Sequence, residues 1–312
     1  MMFDIVGKRF RFFLISGAVI LIGIISLLTF GIKYSIEFSP GSMMTATFEQ
    51  EVSQSELTQE LASLGYTNAI VQRILTEEGS FLIRTRELSG EEKIDLTEAL
   101  AARFGEFEEE GFRQVDPMVA GETRTIAIIA VAVAVVGMLL YITWAFRRMP
   151  KPLRYGTCAV VALGHDVLVV LGIFSIMGGI LGWEVNLMFI TGILAVIGYS
   201  INNTVVIFDR IRENLPKGEG SSFEVVINNS LVETLSRSLN TSLTTLFVVL
   251  ALLFFVGASI QNFAVVLLIG IIAGTYSSLC IAPQLLVVWE KKEWGKFVQW
   301  LPFTIRKEKV GV

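Results

Sequence analysis

The stretch GYSINNTVVIFDRIREN, residues 198–214, places polar side chains inside an apolar segment and follows them with a dense group of charges. It closes an apolar run at 185–208, and about 20 such residues are enough for a helix to cross a bilayer. The polar side chains inside the run belong to Ser200, Asn202, Asn203 and Thr204. Polar groups at this depth are costly, so each of them needs a partner. The stretch therefore predicts a membrane helix with a polar face.

Further apolar segments of the same length occur along the chain, and together they predict a bundle of six membrane-spanning helices. The predicted spans are residues 12–30, 126–146, 156–181, 185–208, 231–255 and 263–288. Hydrophobic residues make up 53% of the 312 residues and charged residues only 17%, which is typical of a membrane protein. The run 12–30 is longer than the apolar part of a signal peptide and no cleavage site follows it, so we interpret it as an uncleaved first span.

The connection between the first two spans, residues 31–122, is too polar to enter the membrane. It contains 18 Asp and Glu against 7 Lys and Arg. Its periodicity predicts strands at 43–49, 69–76, 81–87 and 106–116, a helix opened by a capping box at Ser53 and Glu56, and a helix at 89–104. The order β-α-β-β-α-β is that of a small α+β ferredoxin-like fold. We interpret this insert as a folded extracytoplasmic domain without chemistry of its own.

Positive charges predict the orientation of the bundle, because short cytoplasmic loops are enriched in Lys and Arg. In a six-span arrangement the basic clusters all fall on one side. They are Lys8, Arg9, Arg11, Arg147, Arg148, Lys151, Arg154, Arg210, Arg212, Lys217, Lys291, Lys292 and Lys296. Both termini are therefore expected in the cytoplasm. The chain divides into an N-terminus with span 1 (1–30), the extracytoplasmic domain (31–122), spans 2–6 (123–290) and a cytoplasmic tail (291–312).

Several classes of function find no support in the sequence. The net charge of −4 and the absence of a basic stripe argue against a nucleic-acid partner. There is no glycine-rich phosphate loop, no metal-ligand spacing and no nucleophile beside a base, so we expect no enzyme activity, no cofactor and no metal. Cys158 and Cys280 lie in apolar runs, where a thiol behaves as a small hydrophobic group.

Two spans carry polar faces that we expect to meet. Ser200, Asn203 and Thr204 share one face of the fourth span. The fifth span carries a stripe formed by Arg237, Asn240, Thr241, Thr244 and Thr245. Asn203 and Arg237 each lie about 9 Å from the charged end of their helix, so they are predicted to be level. Alternatively, Arg237 extends to the membrane interface and the hydroxyl and amide groups only hold the helices together.

His165 and Asp166 lie in the third span, about 15 Å from its start and near the middle of a ~30 Å hydrocarbon core. Neighbouring side chains on a helix point about 100° apart, so these two are not expected to clasp one ion together. An intramembrane Asp is a candidate for a proton relay or an ion path, and we assign that role to Asp166. We interpret His165 as a hydrogen-bonded core residue.

Three segments resemble the SecD/SecF family of protein-export membrane proteins. The opening stretch is similar to the family form GYSINDTVVVFDRIRE, SLVETLSRSLNTSLTT (230–245) resembles the fifth-span segment, and ALGHDVLVVLG (162–172) resembles the third-span motif. The resemblance implies a subunit of the resistance-nodulation-division superfamily in a bacterial or archaeal-type cytoplasmic (inner) membrane, surrounded by membrane lipids. Its implied partners are a SecD-like six-span subunit, the Sec translocon channel and an unfolded preprotein, whose late export the proton gradient would drive.

The resemblance also places the family's proton-flow residues, an acid and an arginine, at Asn203 and Arg237. An amide cannot take up a proton, so the sequence does not identify the route of the proton through this chain. The candidate pathway residues are Arg237, Asn203, Asp166, Ser200, Thr204 and Thr241, with further carboxylates expected from the partner. The segment GIKYSIEFSPGS (31–42) departs from the family form, with Glu37 where Asp is common and Pro40 where Gly is common.

Two other functions stay open from the sequence. One is a small-molecule or lipid exporter of the same superfamily, which would need a pocketed external domain. The other is a non-conducting scaffold of the translocon, a function that agrees with an amide, and not an acid, at Asn203. The sequence does not distinguish H⁺ from Na⁺ as the coupling ion.

Overall fold

The computed structural model describes residues 4–74, 79–218, 220–255 and 260–295. In these residues six helical segments are long and apolar enough to cross a membrane. They are Val6–Thr29, Pro117–Ala145, Pro152–Leu181, Leu187–Lys217, Phe223–Phe255 and Gln261–Lys291. Each overlaps one of the six predicted spans, so the predicted bundle is confirmed. Most of the helices extend beyond the apolar runs. A helix forms its backbone hydrogen bonds internally, so it does not have to end where the apolar residues end.

The membrane helices are α1 (Arg9–Thr29), α4 (Pro117–Ala145), α5 (Pro152–Leu181), α6 (Leu187–Lys217) and α7 (Phe223–Phe255), followed by α8 (Gln261–Cys280) and α9 (Ala282–Lys291). The last span, predicted at 263–288, is confirmed by Gln261–Lys291, which contains two consecutive helices. Ile281, with φ −115° and ψ −61°, separates α8 from α9, and Pro283 lies in the first turn of α9. A proline lacks the backbone N–H and clashes with the preceding turn, which is why the helix breaks there.

The chain folds as two compact units. The helical unit is built from the described residues of Met1–Gly31, Ala130–Gly179 and Met188–Val312. The sheet unit contains Ile32–Ile129 and Ile180–Leu187. The sheet unit therefore includes the predicted extracytoplasmic domain, the first turns of α4 and the connection between α5 and α6.

The sheet unit has the predicted ferredoxin-like order. Its elements are β1 (Gly41–Phe48), α2 (Gln54–Ser63), β2 (Ile70–Arg73), β3 (Ser80–Thr85), α3 (Gly90–Phe104) and β4 (Phe107–Val115). The strands pair antiparallel in the order β2-β3-β1-β4. The predicted second strand extended to residue 76, and its last two positions lie outside the described residues.

The core of the sheet unit follows from two periodicities. Alternate residues of β1, namely Met44, Ala46 and Phe48, are buried because successive strand side chains point to opposite faces. The helices contribute side chains spaced by four residues, such as Leu57 with Leu61. The sequence pattern alone thus determines which face of each element enters this core.

A second set of contacts ties the α5–α6 connection to the start of the sheet unit. The backbone N–H of Ser35 donates to the carbonyl oxygen of Val185 at 2.9 Å, and the N–H of Val185 donates to that of Lys33 at 2.8 Å. The side-chain amide of Gln72 donates to the carbonyl oxygen of Gly182 at 3.2 Å. The α5–α6 connection and the predicted extracytoplasmic domain therefore belong to one unit.

Both helices of the sheet unit begin with a capping box. The predicted pair Ser53 and Glu56 is confirmed, and Ser89 with Glu92 forms a second one at α3. The Glu92 carboxylate also accepts a hydrogen bond from the exposed guanidinium of Arg86, and these contacts lower the pKa of Glu92 from its usual 4.5 to about 2. Because the pKa is depressed on folding, the stabilisation by this carboxylate is complete above pH 4.5 and is lost as the pH falls toward 2.

The hydrogen bond from Arg86 is the largest cause of this depressed pKa, which can be tested directly. We expect Arg86→Gln to raise the pKa of Glu92 toward 4.5, measured by ¹³C NMR titration of the side-chain carboxyl groups. Glu56 is the matched control, since its lowered pKa comes first from Ser53. A Glu92 pKa that does not change in Arg86→Gln would contradict the assignment, as would an equal change in Glu56.

In the helical unit, α1 and α5 run parallel in one constant register. Ser16 contacts His165 and Ser26 contacts Ser175, and both pairs are separated by 149 residues in the chain. Between them, the backbones of Gly23 and Gly172 are in close contact. They are so close that a Cβ added at Gly172 would lie 2.7 Å from the Cα of Gly23. We call the interface formed by these three residue pairs the α1–α5 seam. Small residues permit such close packing of membrane helices.

Ion pairs gather the basic residues at one end of the helical unit. The guanidinium of Arg9 is buried and lies 2.6 Å from a carboxylate oxygen of Glu293 and 3.0 Å from one of Glu224. Arg154 pairs with Glu290 at 2.6 Å. We call this end, where α1, α5 and α7 begin and α9 ends, the basic end.

Candidate functional site

Asp166 lies at the centre of a buried polar cluster in the helical unit. Its side chain is 0% exposed. One carboxylate oxygen, Oδ2, accepts hydrogen bonds from the hydroxyls of Ser200 on α6, at 2.6 Å, and Ser277 on α8, at 2.8 Å. The carboxylate thus joins three helices, α5, α6 and α8, that are far apart in sequence.

His165 completes this cluster on the side of α1. Its Nδ1 lies 3.0 Å from Oδ1 of Asp166, and its Nε2 lies 2.9 Å from the hydroxyl oxygen of Ser16. The imidazole ring stacks against the ring of Tyr276, with 6.0 Å between the ring centroids. His165 is therefore buried and hydrogen-bonded, as the sequence predicted, but its partner is the neighbouring aspartate.

The other predicted residues of α6 bind to α7 and α8. Thr204 donates its hydroxyl hydrogen to Ser278 Oγ at 3.0 Å. The Asn203 side chain is 3% exposed and its amide donates to Ser242 Oγ at 3.3 Å. Ser242 in turn lies 2.6 Å from the hydroxyl of Thr275. Asp166 and Thr204 thus contact α8 directly, whereas Asn203 is linked to it through Ser242 of α7.

The prediction that the polar stripe of α7 meets the polar face of α6 was wrong. Arg237 and Thr241 are exposed, and so are Asn240 and Thr244 of the same stripe. The face of α7 that enters the bundle carries Thr234, Ser238 and Ser242 instead. Small hydroxyl side chains allow close helix packing, whereas a long arginine and its neighbours fit an outer face.

Arg237 also lies at a different depth from Asn203. Asn203 contacts Ser242, which is five residues, or about 7.5 Å, further along α7 than Arg237. Arg237 instead lines a polar cavity of 340 Å³ near the basic end, together with Val206, Asp209, Arg210, Glu213, Glu233 and Thr234. Within the described residues its guanidinium makes no hydrogen bond or ion pair.

The sequence reasoning missed the hydroxyl residues that link these helices. They are Ser16, Ser242, Thr275, Ser277 and Ser278. Their signal is the short run GTYSSLC, residues 274–280, which places four consecutive polar residues inside an apolar span. Three of the five lie in this run, where they interrupt an apolar span as Ser200, Asn203 and Thr204 do in α6.

The polar cluster around Asp166 contains groups that are chemically able to exchange protons. Carboxylate, imidazole and hydroxyl groups can all accept or donate a proton through hydrogen bonds, and Asp166 is the carboxylate among them. In the part of the chain that the structure describes, no three His, Cys, Asp or Glu side chains lie close enough to hold a metal ion.

Comparison with known proteins then gives the family. The family model described as protein export membrane protein SecD/SecF, C-terminal, matches residues 95–292, and the model of the SecD/SecF GG motif matches residues 25–52. The chain belongs to the SecD/SecF family. The unusual Glu37 and Pro40 lie inside the second match, so this variation falls within what the family model accepts.

Individual members of the SecD/SecF family match over most of the chain. Protein translocase subunit SecF of Thermobaculum terrenum is 44% identical, with 94% of this chain and 95% of that protein covered. Protein translocase subunit SecDF of Bacillus subtilis is 33% identical over 94% of this chain but only 39% of its own length. This chain thus corresponds to about two-fifths of a SecDF protein.

A solved structure of a SecD/SecF family member has the same fold. It is the crystal structure of SecDF, a translocon-associated membrane protein from Thermus thermophilus, with a TM-score of 0.80 and 31% identity. It covers 93% of this chain and 39% of that one. Together with the six apolar helices, these matches show a multi-pass membrane protein of the SecD/SecF type.

Proposed function

We propose that the chain is an accessory subunit of the Sec preprotein translocase, acting with a SecD-like partner to couple the proton gradient to late steps of export. The observation that carries this proposal is the match of nearly the whole chain to proteins named protein translocase subunit SecF. The polar cluster supports the coupling, because it holds a buried acid in a membrane bundle.

The exposed polar stripe of α7 supports a second six-span subunit as partner. Arg237, Asn240, Thr241 and Thr244 lie on an outer face of a membrane helix. The hydroxyls of Thr241 and Thr244 donate to carbonyl oxygens of α7 itself. Facing lipid, however, Arg237 and Asn240 would lack partners for their polar groups, which is costly in hydrocarbon. We therefore infer that this face packs against the SecD-like subunit, whose carboxylates would lie near Arg237.

The ion path is proposed to involve both subunits. Asn203 cannot carry a proton, so it serves as a hydrogen-bonding side chain between α6 and α7. Arg237 is the mobile cation, and the hydroxyls of Ser200, Thr204 and Thr241 line the route. A charge that crosses the full membrane gains about 2.3 kcal/mol per 100 mV, which is enough to bias a conformational equilibrium.

The proposed orientation places the basic end in the cytoplasm of a bacterial or archaeal-type cell. Basic residues concentrate there, as expected for cytoplasmic ends of membrane helices. The sheet unit would then lie outside the cytoplasmic membrane, where it can meet the emerging preprotein beside the translocon channel. Membrane lipids would surround the faces of the bundle that no protein covers.

The proposed function is tested by export into vesicles that contain this chain, its partner and the translocon channel. We expect an imposed proton gradient to increase completed export, and a protonophore to remove the increase. Replacement of the proton gradient by a Na⁺ gradient identifies the coupling ion. Export that is the same with and without either gradient would contradict coupling and favour the scaffold function. Efflux of small molecules or lipids, with export unchanged, would favour the exporter function.

A further inference from the structure

We propose that Asp166 and His165 form one proton-binding site inside this chain, and that α1 senses its occupancy through Ser16. The proposal rests on the proposed function, since it names the proton-binding group of the same bundle. It assigns to His165 a direct part in proton transfer, which is more than the packing role that the sequence predicted.

The surroundings of Asp166 require a group that can lose its charge. The carboxylate is fully buried, and its partners are the hydroxyls of Ser200 and Ser277 and the imidazole of His165. An ionised carboxylate in such a place is costly unless a cation accompanies it. No Lys or Arg side chain pairs with it within the described residues. Uptake of one proton removes that charge without any movement of the helices.

The groups that face the site from each packed helix are few. From α1 comes Ser16, from α6 Ser200, and from α8 come Tyr276 and Ser277. Apart from His165 and Asp166 themselves, Tyr276 is the titratable group in this set, and its hydroxyl donates to the carbonyl oxygen of Phe12 at 2.8 Å. His165 and Asp166 are therefore the two side chains of the site between which the added proton is distributed.

The two hydrogen bonds of the imidazole define the proton transfer. In the ionised state, the Nδ1–H of neutral His165 donates to Oδ1 of Asp166, and the hydroxyl of Ser16 donates to Nε2. On uptake, one proton reaches Nε2 through the Ser16 hydroxyl, which receives another in return, and the Nδ1 proton passes to Oδ1. The net change is one added proton, which leaves the carboxyl group and the imidazole both neutral.

A space beside His165 adjoins the site, and its surface is almost entirely apolar. It has a volume of 350 Å³ and lies between α1, α5 and α8, where Ser16, His165 and Tyr276 contribute to its wall. The rest of its lining is aliphatic. A space with such walls is not a site for ordered water, because a water molecule needs two to four polar partners. The proton that Ser16 receives on uptake is therefore not assigned to water in this space.

The consequence of proton uptake reaches α1 directly. After the transfer, the Nε2–H of His165 donates to Ser16, so the hydrogen bond in the α1–α5 seam reverses its direction. The hydroxyl hydrogen of Ser16 must then turn to another acceptor. The seam is therefore the element that senses the proton.

The test uses the full chain with its partner in lipid vesicles, studied by infrared difference spectroscopy between high and low pH. We expect the spectrum of the wild type to contain, beyond that of Asp166→Asn, one carboxylic-acid band that appears on acidification. Asp166→Asn should also lose the gradient-dependent part of export. A pH-dependent band of undiminished size in Asp166→Asn would overturn the proposal. If export in the wild type needs no gradient, the proposed function fails while the band still decides the proton site.

Two hydroxyls of the α1–α5 seam provide matched variants. Ser16→Ala and Ser26→Ala each remove one interhelical hydrogen bond, but only Ser16 contacts His165. We expect Ser16→Ala to displace the pH midpoint of the infrared band and Ser26→Ala to leave it in place. Equal midpoints in both variants would overturn the role of Ser16. If Asp166→Asn does not assemble, Ser200→Ala keeps the test, since loss of a donor to Oδ2 must also displace the midpoint.

Discussion

Arg237→Ala should abolish the gradient-dependent increase in preprotein export while leaving the folded bundle intact. The reason is that Arg237 is an exposed cation on a membrane helix and makes no ion pair within the described part of the chain. Its removal deletes the charge that we expect the partner's carboxylates to bind, without opening a cavity in this unit. Export into proteoliposomes with and without a proton gradient measures the loss, and thermal unfolding in detergent verifies the fold.

Two further variants make this result specific. Arg212→Ala is the matched control, because Arg212 is also an exposed arginine near the basic end but pairs with Asp209 within α6 at 2.6 Å. We expect export in this control to keep its gradient dependence. Asn203→Asp restores the acid that the family resemblance places there. If Arg237→Ala and Asn203→Asp both leave gradient dependence unchanged, the scaffold function is favoured and the role of Arg237 is rejected.

Gly172→Ala is expected to have the largest effect on stability. The added Cβ would lie 2.7 Å from the Cα of Gly23, and backbone atoms of a packed helix cannot move aside as a flexible side chain can. Overpacking of this kind costs about 1–3 kcal/mol, because α1 and α5 must separate along the whole seam. Thermal or denaturant unfolding in detergent micelles should show the loss, and the same variant should weaken the contact between Ser16 and His165.

Gly164→Ala is the control for this prediction. Gly164 lies on the same helix, and nothing comes within 4 Å of a Cβ added there. Replacing glycine by alanine in an open helical position stabilises a helix by up to about 1 kcal/mol, so this variant should be neutral or slightly more stable. Equal destabilisation by both variants would show that the close approach of Gly23 and Gly172 is not what limits packing.

The spans and the sheet unit could be predicted from the sequence because local rules govern them. A membrane helix needs about 20 apolar residues, so the lengths of the apolar runs determined that six helices form. Alternation with period two and the capping box at Ser53 determined the strands and helices of the sheet unit. The interruption at Ile281 within the confirmed last span was not predicted, although Pro283 was its signal.

The candidate site depended on contacts that no local pattern specifies. Periodicity shows that Arg237 and Thr241 share a face of α7. A polar face in a membrane, however, can find hydrogen-bond partners either in the same chain or in a partner subunit. The tertiary structure decided that this face is exposed and that Ser242 meets Asn203 instead. It also placed Ser16 against His165, because helix packing, and not residue spacing, determines which spans touch. The sequence by itself thus determined the elements and the presence of a buried acid, whereas tertiary packing alone decided which side chains surround Asp166.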